Sequence, residues 1–302
     1  MILFTKATDA VNRISICFFE RGLELKNRVK LNDGSCIPSI GYGCYKVSPD
    51  EAERLAKTAI ECGYRMIDTA IRYENEAEIG RAVKSSGLFR EELYIVSKVW
   101  QTCYDRPVDA IEFSLKELDC DYIDLYYLHW PATDAGRRYR MWEAILNYRE
   151  KGLIKSVGVS NFKVHHIKDL IEQFGVAPAA NQVELHPLYQ QREVSEYCEK
   201  EGIKIVCWAP IMRGKFDEIP ALFDIGERYG KTPAQVVLRW HIQSGRIPLP
   251  KSSSRERMTE NIDVFDFELS DEEMGIIGGS ETGFHFGRDP DIYDGEDFVI
   301  EY

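Results

Sequence analysis

The stretch LYIVSKVWQTCYDRPVDAIEFSLKELDCDYIDLYYLHW (residues 93–130) decides the fold. Its two ends, 93–100 and 122–130, are short runs rich in Leu, Ile, Val and Tyr, which is typical of strands buried on both faces. The segment between them, 105–120, repeats apolar residues at the spacing of an amphipathic helix. A strand, a helix and a second strand in this order predict one parallel β/α unit.

The same unit recurs along the chain. Six more apolar runs are predicted as strands: 37–43, 64–70, 154–162, 180–187, 203–210 and 246–252. Helical spacing is found at 48–63, 139–152, 164–175, 192–202 and in one longer segment, 221–245. Eight strands alternating with helices over about 250 residues predict an α/β protein with a (β/α)8 TIM barrel.

An open doubly wound sheet is the alternative arrangement of such units. Its fingerprint is G-x-G-x-x-G, and GYGCYK (41–46) has the first two glycines but Lys46 at the third position. The barrel is therefore favoured. Residues 26–302 are predicted to be a single domain, because no linker rich in Pro, Gly or Ser interrupts the series. At its start, VKLNDGSCIP (29–38) has Asn-Asp-Gly between apolar residues, which indicates a β-hairpin.

Residues 1–25 are predicted to be an N-terminal extension of unknown role. Their apolar patch, 14–19, is short and is followed at once by Glu20, so it lacks the features of a secretory signal. A transit peptide is a less favoured alternative, because Asp9, Glu20 and Glu24 are acidic.

The composition restricts the possible partners. The chain has 302 residues, 44% of them hydrophobic, and a formal net charge of −12, which disfavours nucleic acid or an anionic membrane as a partner. No run of eighteen apolar residues predicts a membrane span. The eight cysteines form no C-x-x-C pair and no zinc-type cluster, so we expect no metal site and reduced thiols in a cytoplasmic protein. A disulfide framework is the less favoured alternative.

Polar residues follow the predicted strands at their C-terminal ends, where (β/α)8 barrels place their active sites. In chain order they are Gly43-Cys44-Tyr45, Asp68, Lys98, His129, Ser160-Asn161, Gln182 to Glu184, Trp208 and Lys251-Ser252. Each has an ordinary explanation on its own, such as a helix cap or a solvated lysine. A ring of them, one from nearly every strand, indicates a functional site.

Four of these side chains suit proton transfer to a carbonyl oxygen. Tyr73 has a reference pKa near 10, and the ammonium of Lys98 is expected to lower it. Asp68 would keep Lys98 charged, and His129 would donate a hydrogen bond to the substrate oxygen. No side chain supplies hydride, so a nicotinamide cofactor is implied.

Six motifs, in this order, resemble those of the aldo-keto reductase family. They are I-D-T-A-x-x-Y (67–73), V-S-K (96–98), L-H-W-P (128–131), G-V-S-N-F (158–162), N-Q-V-E-x-H-P (181–187) and P-K-S…R-x-x-x-N (250–261). The chain is most similar to short-loop microbial and plant-like members, such as the 2,5-diketo-gluconic acid reductases and prostaglandin F synthases. The resemblance implies a barrel closed at its bottom by the hairpin and an NADPH-dependent reductase of aldehydes and ketones. Its implied catalytic residues are Asp68, Tyr73, Lys98 and His129, with Tyr73 as the proton donor.

The resemblance also implies the binding residues. Ser160, Asn161 and Gln182 match contacts to the nicotinamide carboxamide, Trp208 matches the stacking ring, and Gly43, Cys44, Tyr45 and Asp68 face the cofactor. Lys251, Ser252 and Arg257 match contacts to the 2′-phosphate of NADPH, and Glu260 and Asn261 match contacts to adenine. The substrate pocket is implied at Tyr45, Tyr73, His129 and Trp130. Read alone, SSSRERMTEN (252–261) is a helix start with mixed surface charge.

Departures from the family pattern predict an open pocket. Tyr45 stands where tryptophan is common, the segment 131–142 is short, and the tail 287–302 is acidic. Small aldehydes, diketo acids and prostaglandin H2 are the expected substrates. Alternative functions are a cofactor-binding regulatory subunit, as in potassium-channel β-subunits, and a structural lens crystallin. The four catalytic residues are intact and favour an enzyme, which we expect to be a monomer.

Overall fold

The fold is built around parallel strands that follow one another in chain order. The structure is a computed structural model that describes residues 17–18, 24–25, 27–295 and 298. Four short strands come first: β1 (Cys17–Phe18), β2 (Glu24–Leu25), β3 (Arg28–Lys30) and β4 (Cys36–Pro38). Eight more form one sheet: β5 (Tyr42–Gly43), β6 (Met66–Asp68), β7 (Tyr94–Val99), β8 (Ile123–Leu128), β9 (Ile154–Ser160), β10 (Ala180–Glu184), β11 (Lys204–Trp208) and β12 (Ile247–Pro248). Each pairs in parallel with the next.

Hydrogen bonds between the first and last strands of this sheet close it into a barrel. The N–H of Gly41 donates to the carbonyl of Pro248 over 3.1 Å, and that of Gly43 donates to Pro250 over 3.2 Å. The predicted (β/α)8 TIM barrel is therefore confirmed. The first apolar run, 37–43, is divided, because Ile37 pairs with Val29 in the preceding hairpin and the barrel strand begins only at Tyr42.

Helices cover the outside of the barrel. Within the described residues they are α1 (Pro49–Glu61), α2 (Glu76–Lys84), α3 (Pro107–Glu117), α4 (Ala135–Glu150), α5 (Val164–Phe174), α6 (Arg192–Lys200), α7 (Ala221–Tyr229), α8 (Pro233–Gln243), α9 (Arg255–Ile262) and α10 (Asp271–Gly278). Because α9 packs against both α8 and α1, the helical ring closes where the sheet does. The segment starting at Ser254 is thus the helix start expected from its sequence, and the Ser254 side chain accepts the N–H of Arg257.

One helical prediction needs correction, and two helices were not predicted. The segment 221–245 is two helices, because Gly230 takes a left-handed φ of 64° and Thr232 caps a new helix that begins at Pro233. Helix α2 was not predicted, and its Gly80 packs so closely that an added Cβ would clash with the carbonyl of Leu118. Helix α10 was not predicted either, since its two glycines lower the helix propensity of a short segment.

The hairpin of β3 and β4 closes the bottom of the barrel, as predicted. Its turn is held by the N–H of Leu31, which donates to Ser35 over 2.9 Å, and Gly34 has a φ of 91°. Leu31 and Ile37 pack in one cluster with interior residues of the barrel strands, among them Met66, Val96, Leu125, Tyr127 and Val206. Buried apolar side chains therefore stabilise the closed bottom of the barrel, and the polar groups lie at the opposite end.

The N-terminal region departs from one expectation. The predicted extension, 1–25, lies outside the described residues apart from β1 and β2, which pair antiparallel. Cys36 is disulfide-bonded, so the expectation that all cysteines are reduced is wrong at this position. Cys44, Cys62, Cys103, Cys120, Cys198 and Cys207 are free thiols. None of the helices in the described part of the chain is long and apolar enough to cross a membrane.

Ile37 tests the hairpin as a structural plug. Its side chain is fully buried, so Ile37→Ala is expected to lower the free energy of unfolding by about 3 kcal/mol through lost burial and a residual cavity. Val29→Ala, at the partly buried cross-strand partner, is the control and is expected to cost about 1 kcal/mol. Urea denaturation followed by tryptophan fluorescence measures both. Equal losses would contradict this role of Ile37.

Candidate active site

A buried ion pair lies at the C-terminal ends of β6 and β7. The ammonium of Lys98 donates to Asp68 Oδ1 over 2.5 Å and to the carbonyl of Thr69 over 2.8 Å. The other carboxylate oxygen of Asp68 accepts the Gln182 side-chain amide over 2.8 Å. Burial raises the pKa of Asp68 and lowers the pKa of Lys98, and their mutual attraction opposes both shifts. Every polar atom of the pair thus has a partner within the barrel.

Tyr73 follows β6 in a single 3-10 turn, Ile71–Tyr73, and lies above this pair. Its hydroxyl is 3.4 Å from the Lys98 ammonium. Burial first, and the charge of Asp68 next, raise the pKa of Tyr73 well above 10, so the net shift is opposite to the lowering expected from Lys98. Tyr73 is therefore a protonated phenol at neutral pH, which is the form that a proton donor requires.

His129 follows β8 and faces the same space. Its ring packs edge-on against Tyr73, with 5.7 Å between the ring centroids, and against Trp100, with 4.9 Å. Burial, helped by the charges of Lys98 and Arg72, lowers the pKa of His129 well below 6.5. A neutral imidazole in this position can donate one hydrogen bond to a ligand oxygen.

Polar side chains from the next strands form hydrogen bonds beside the ion pair. Ser160 Oγ donates to the carbonyl of Gln182 over 2.8 Å, and Asn161 Nδ2 donates to the carbonyl of His129 over 3.0 Å. Asn161 Oδ1 accepts the indole N–H of Trp208 over 2.8 Å. Asn161 has a φ of 62°, a conformation that asparagine tolerates better than most residues. The indole of Trp208 is thereby fixed at the edge of the site.

A C-terminal strap, which we define as residues 282–295, passes over the barrel mouth and is anchored by Glu184. The buried carboxylate of Glu184 accepts the backbone N–H groups of Phe286 and Gly287, each over 2.7 Å. An added Cβ at Gly287 would come within 3.0 Å of the Trp208 ring, so the strap backbone lies directly against this indole. Glu184, whose role the sequence did not reveal, holds the strap where it confines Trp208.

The strap is also anchored by charged groups on the far side of the mouth. Lys163 Nζ lies 2.6 Å from carboxylate oxygens of both Asp289 and Asp291. The neighbouring His165 and His166 also contact Asp291, and these three side chains could by position hold a metal ion. Because His166 Nδ1 accepts the N–H of Lys163, the neutral ring carries its proton on Nε2, which lies 3.4 Å from Asp291. We therefore interpret this cluster as an anchor of the strap.

The residues expected to bind the adenosine end lie at the start of α9. Ser252 and Asn261 are buried, and the carbonyl of Ser252 accepts the hydroxyl of Tyr42 over 2.8 Å. Lys251 and Arg257 are exposed, and neither makes an ion pair with any residue that the structure describes. Two unpaired cations beside a helix N-terminus favour an anionic ligand group.

One continuous cavity of about 1030 Å³ connects these regions. Its lining includes nearly all the predicted site residues: Gly43, Tyr45, Asp68, Tyr73, His129, Trp130, Ser160, Asn161, Gln182, Trp208, Lys251, Ser252, Arg257, Glu260 and Asn261. Lys98 lies behind Asp68 and Tyr73 and is completely buried. Cys44 was also predicted to face the cofactor, but its side chain is completely buried and does not line the cavity. Burial in the core raises the pKa of the Cys44 thiol.

Sequence reasoning missed an aromatic wall beside His129. Trp100 donates its indole N–H to the carbonyl of Gly295 over 2.9 Å, and the ring of Tyr293 packs edge-on against Trp130, with 4.8 Å between the centroids. Arg72 and Arg288 line the cavity next to this wall. The sequence could have indicated Trp100 as a site residue, because Trp100 directly follows β7. Nothing in the sequence of the strap indicated that it lines the cavity, since that sequence shows only an acidic tail.

Comparisons with known proteins agree on one family. The sequence profile described as the aldo/keto reductase family matches residues 39–281. An aldo-keto reductase of Mycolicibacterium smegmatis is 44% identical over 265 residues, which are 87% of this chain and 96% of that protein. The methylglyoxal reductase DkgA of Escherichia coli is 42% identical over 270 residues, 88% of this chain and 98% of that protein.

Solved structures give the same result. An aldo/keto reductase from Brucella melitensis superposes with a TM-score of 0.81 at 40% identity, covering 84% of this chain and 99% of its own. A mutant of Gox0644 in complex with NADPH superposes with a TM-score of 0.85 at 35% identity, covering 89% of this chain and 99% of its own.

The Asp68–Lys98 pair gives a test of stability. Asp68→Asn leaves a buried ammonium without its counter-charge, so the free energy of unfolding at pH 7 is expected to fall by about 3 kcal/mol. Lys98 in this variant keeps a lowered pKa, so the unfolded state binds more protons. Stability should therefore rise with pH up to the ordinary lysine pKa of 10.5.

The measurement is urea denaturation at pH 7 and pH 9.5. Asp121→Asn, at an exposed position, is the matched control and is expected to have little effect. An Asp68→Asn variant that is as stable as this control, with no dependence on pH, would contradict the assigned ion pair.

Proposed function

The chain belongs to the aldo/keto reductase family, and we propose that it reduces small aldehydes and ketones to alcohols with NADPH, using Tyr73 as the proton donor. One observation carries the proposal. A single cavity joins Tyr73 and His129 at one end to the cations Lys251 and Arg257, which form no ion pair within the described residues, at the other. This arrangement suits a long anionic cofactor whose reactive end must meet a carbonyl group beside a proton donor.

The residues present fit NADPH. Lys251 and Arg257 would bind the 2′-phosphate, because a guanidinium and an ammonium beside a helix N-terminus together favour a dianion. Ser160, Asn161 and Gln182 would hold the nicotinamide carboxamide, and the indole of Trp208 offers an aromatic face to the ring. When bound, NADPH supplies the hydride.

The side chains around Tyr73 account for the proton. His129 is neutral, since burial lowers its pKa, and it orients the substrate by donating a hydrogen bond to the carbonyl oxygen. Tyr73 gives its proton to this oxygen as negative charge develops there. The ammonium of Lys98, 3.4 Å from the phenol oxygen, stabilises the phenolate that remains, and solvent returns the proton. Asp68 acts through Lys98 by holding the ammonium in place.

The expected substrates are small and varied. Methylglyoxal reductase activity in the name of a relative supports 2-oxoaldehydes, and diketo acids and prostaglandins are further proposed substrates that a short-loop pocket would admit. The acidic net charge of −12 disfavours nucleic-acid or anionic-membrane partners, and the six free thiols among the described cysteines support a cytoplasmic location. We further propose that residues 26–302 act as one domain and that the enzyme is a monomer.

Tyr73→Phe tests the assigned proton donor. The wild-type protein is expected to oxidise NADPH when given methylglyoxal, phenylglyoxal or 4-nitrobenzaldehyde. Tyr73→Phe should lower kcat by at least about a hundredfold, because general acid catalysis contributes roughly that much or more. NADPH binding, followed by fluorescence, should change little.

Tyr122→Phe, which removes a hydroxyl just before β8 at the other end of the barrel, is the control and should keep wild-type turnover. Normal turnover by Tyr73→Phe would refute the assignment. A wild-type protein that reduces none of the three carbonyl compounds would refute the proposed function itself.

Arg257→Gln tests the 2′-phosphate site. Loss of a charge-assisted contact should raise KM for NADPH about tenfold or more and leave KM for NADH nearly unchanged, because NADH lacks the 2′-phosphate. Arg255→Gln is the matched control, since the neighbouring Arg255 pairs with Glu61 and does not line the cavity. The same increase for both cofactors would overturn the assignment of Arg257.

A further inference from the structure

A buried carboxyl group lies outside the cavity but close to Tyr73 in the chain. Glu76 begins α2, and its side chain is buried and does not line the cavity. Ser97 Oγ donates to Glu76 Oε1 over 2.5 Å. Because Ser97 directly precedes Lys98 in β7, this hydrogen bond joins the segment that carries Tyr73 to the strand that carries Lys98.

The segment between Tyr73 and Glu76 is short and firmly held. Glu74 takes a left-handed φ of 54°, and Asn75 is completely buried. The Asn75 side chain accepts the hydroxyl of Thr69 over 2.5 Å and donates to two backbone carbonyls that follow β5, over 3.3 and 3.0 Å. Since little in this segment can adjust, a displacement of Glu76 would also move Tyr73.

The carboxyl of Glu76 has no direct counter-ion. No lysine or arginine in the part of the chain that the structure describes forms an ion pair with it. Burial raises the pKa of Glu76 to about 7, although hydrogen bonds from Ser97 and Ser114 and the charge of Lys98 oppose the shift. Both forms of the carboxyl are therefore present at neutral pH, and the ionised form predominates at alkaline pH.

Titratable groups from the neighbouring elements face Glu76. Lys98 is the cation among them, and Glu117 of α3 is a second acid that disfavours ionisation of Glu76. The thiol of Cys120, after α3, is neutral because burial raises its pKa to about 11. The phenol of Tyr126 in β8 reaches this region through a hydrogen bond of 2.9 Å with a serine hydroxyl of α3. The charge of Glu76 is therefore felt mainly at Lys98.

On the basis of the proposed function, we propose that Glu76 is a positioning residue for proton transfer: its carboxyl joins Tyr73 to the strand of Lys98 and places a second negative charge, after that of Asp68, near the Lys98 ammonium. Burial lowers the pKa of Lys98, and the charges of Asp68 and, more weakly, Glu76 act in the opposite direction. The ammonium is the group that would stabilise the phenolate left on Tyr73. Loss of the Glu76 charge should therefore make Lys98 lose its proton at a lower pH.

Glu76→Gln tests the charge, because glutamine keeps an acceptor for Ser97. With methylglyoxal at saturating NADPH, kcat should match the wild type at about pH 6, where Glu76 is mostly protonated. On the alkaline side, kcat should decline at a pH lower by about one unit. The pKa of Lys98 should fall by a similar amount, which the ¹⁵N NMR signal of its ammonium measures once Lys98→Arg has assigned it.

Ser97→Ala tests the hydrogen bond and leaves the carboxyl in place. We expect kcat to fall about tenfold at every pH while KM for NADPH stays unchanged, because the separation of Tyr73 and Lys98 is no longer fixed. Glu76→Ala should show this loss together with the alkaline shift, and Glu76→Gln should restore the kcat measured at about pH 6.

Glu112→Gln is the matched control, since this carboxyl of α3 accepts a tyrosine hydroxyl over 2.9 Å outside the cavity and should affect neither kcat nor its pH profile. An unchanged Lys98 pKa in Glu76→Gln overturns the inference, and so does full kcat in Ser97→Ala. The NMR titration does not depend on turnover. A wild-type protein that reduces none of the three carbonyl compounds is therefore a separate failure, that of the proposed function.

Discussion

The site depends on one buried charge pair. Placing Asp68 and Lys98 in the barrel interior carries a large desolvation cost, which is offset only when geometry and further hydrogen bonds are good. Here β6, β7 and β10 each contribute a partner, because Gln182 and the carbonyl of Thr69 complete the contacts. The pair can exist only when these strands are in register, so the chemistry proposed for Tyr73 depends on the packing of the barrel strands.

The second organising element is the strap over the barrel mouth. Glu184 lies at the end of a barrel strand and holds the strap backbone through two N–H groups, while Lys163 holds it from the start of α5. Contact between Gly287 and the Trp208 ring connects these anchors to the proposed cofactor region. The wall of the pocket is therefore fastened to the rigid barrel at several points, which gives a surface segment the precision that recognition requires.

The fold was predictable from the sequence because local patterns repeat eight times, and the motif residues were predictable because strand ends converge in a barrel. Properties that arise from packing could not be predicted from the sequence. The pKa of Tyr73 depends on burial, which spacing does not reveal, and the Cys44 side chain turns into the core although its neighbours Gly43 and Tyr45 line the cavity. Tyr293 meets Trp130, and Arg288 lies over the ring of Tyr293, only in the folded chain, so the sequence of the acidic tail did not show that part of it lines the cavity.

The seam between the first and last barrel strands has a consequence for the order in which the protein can form. Tyr42 and Ser252 are 210 positions apart, and the hydroxyl of Tyr42 donates to the carbonyl of Ser252. Closing so long a loop costs chain entropy before any contact compensates it, and non-local contacts of this kind slow folding. A nascent chain that has not emerged past Pro250 lacks both the seam and the residues proposed to bind adenosine, so the proposed cofactor site can form only when synthesis is almost finished.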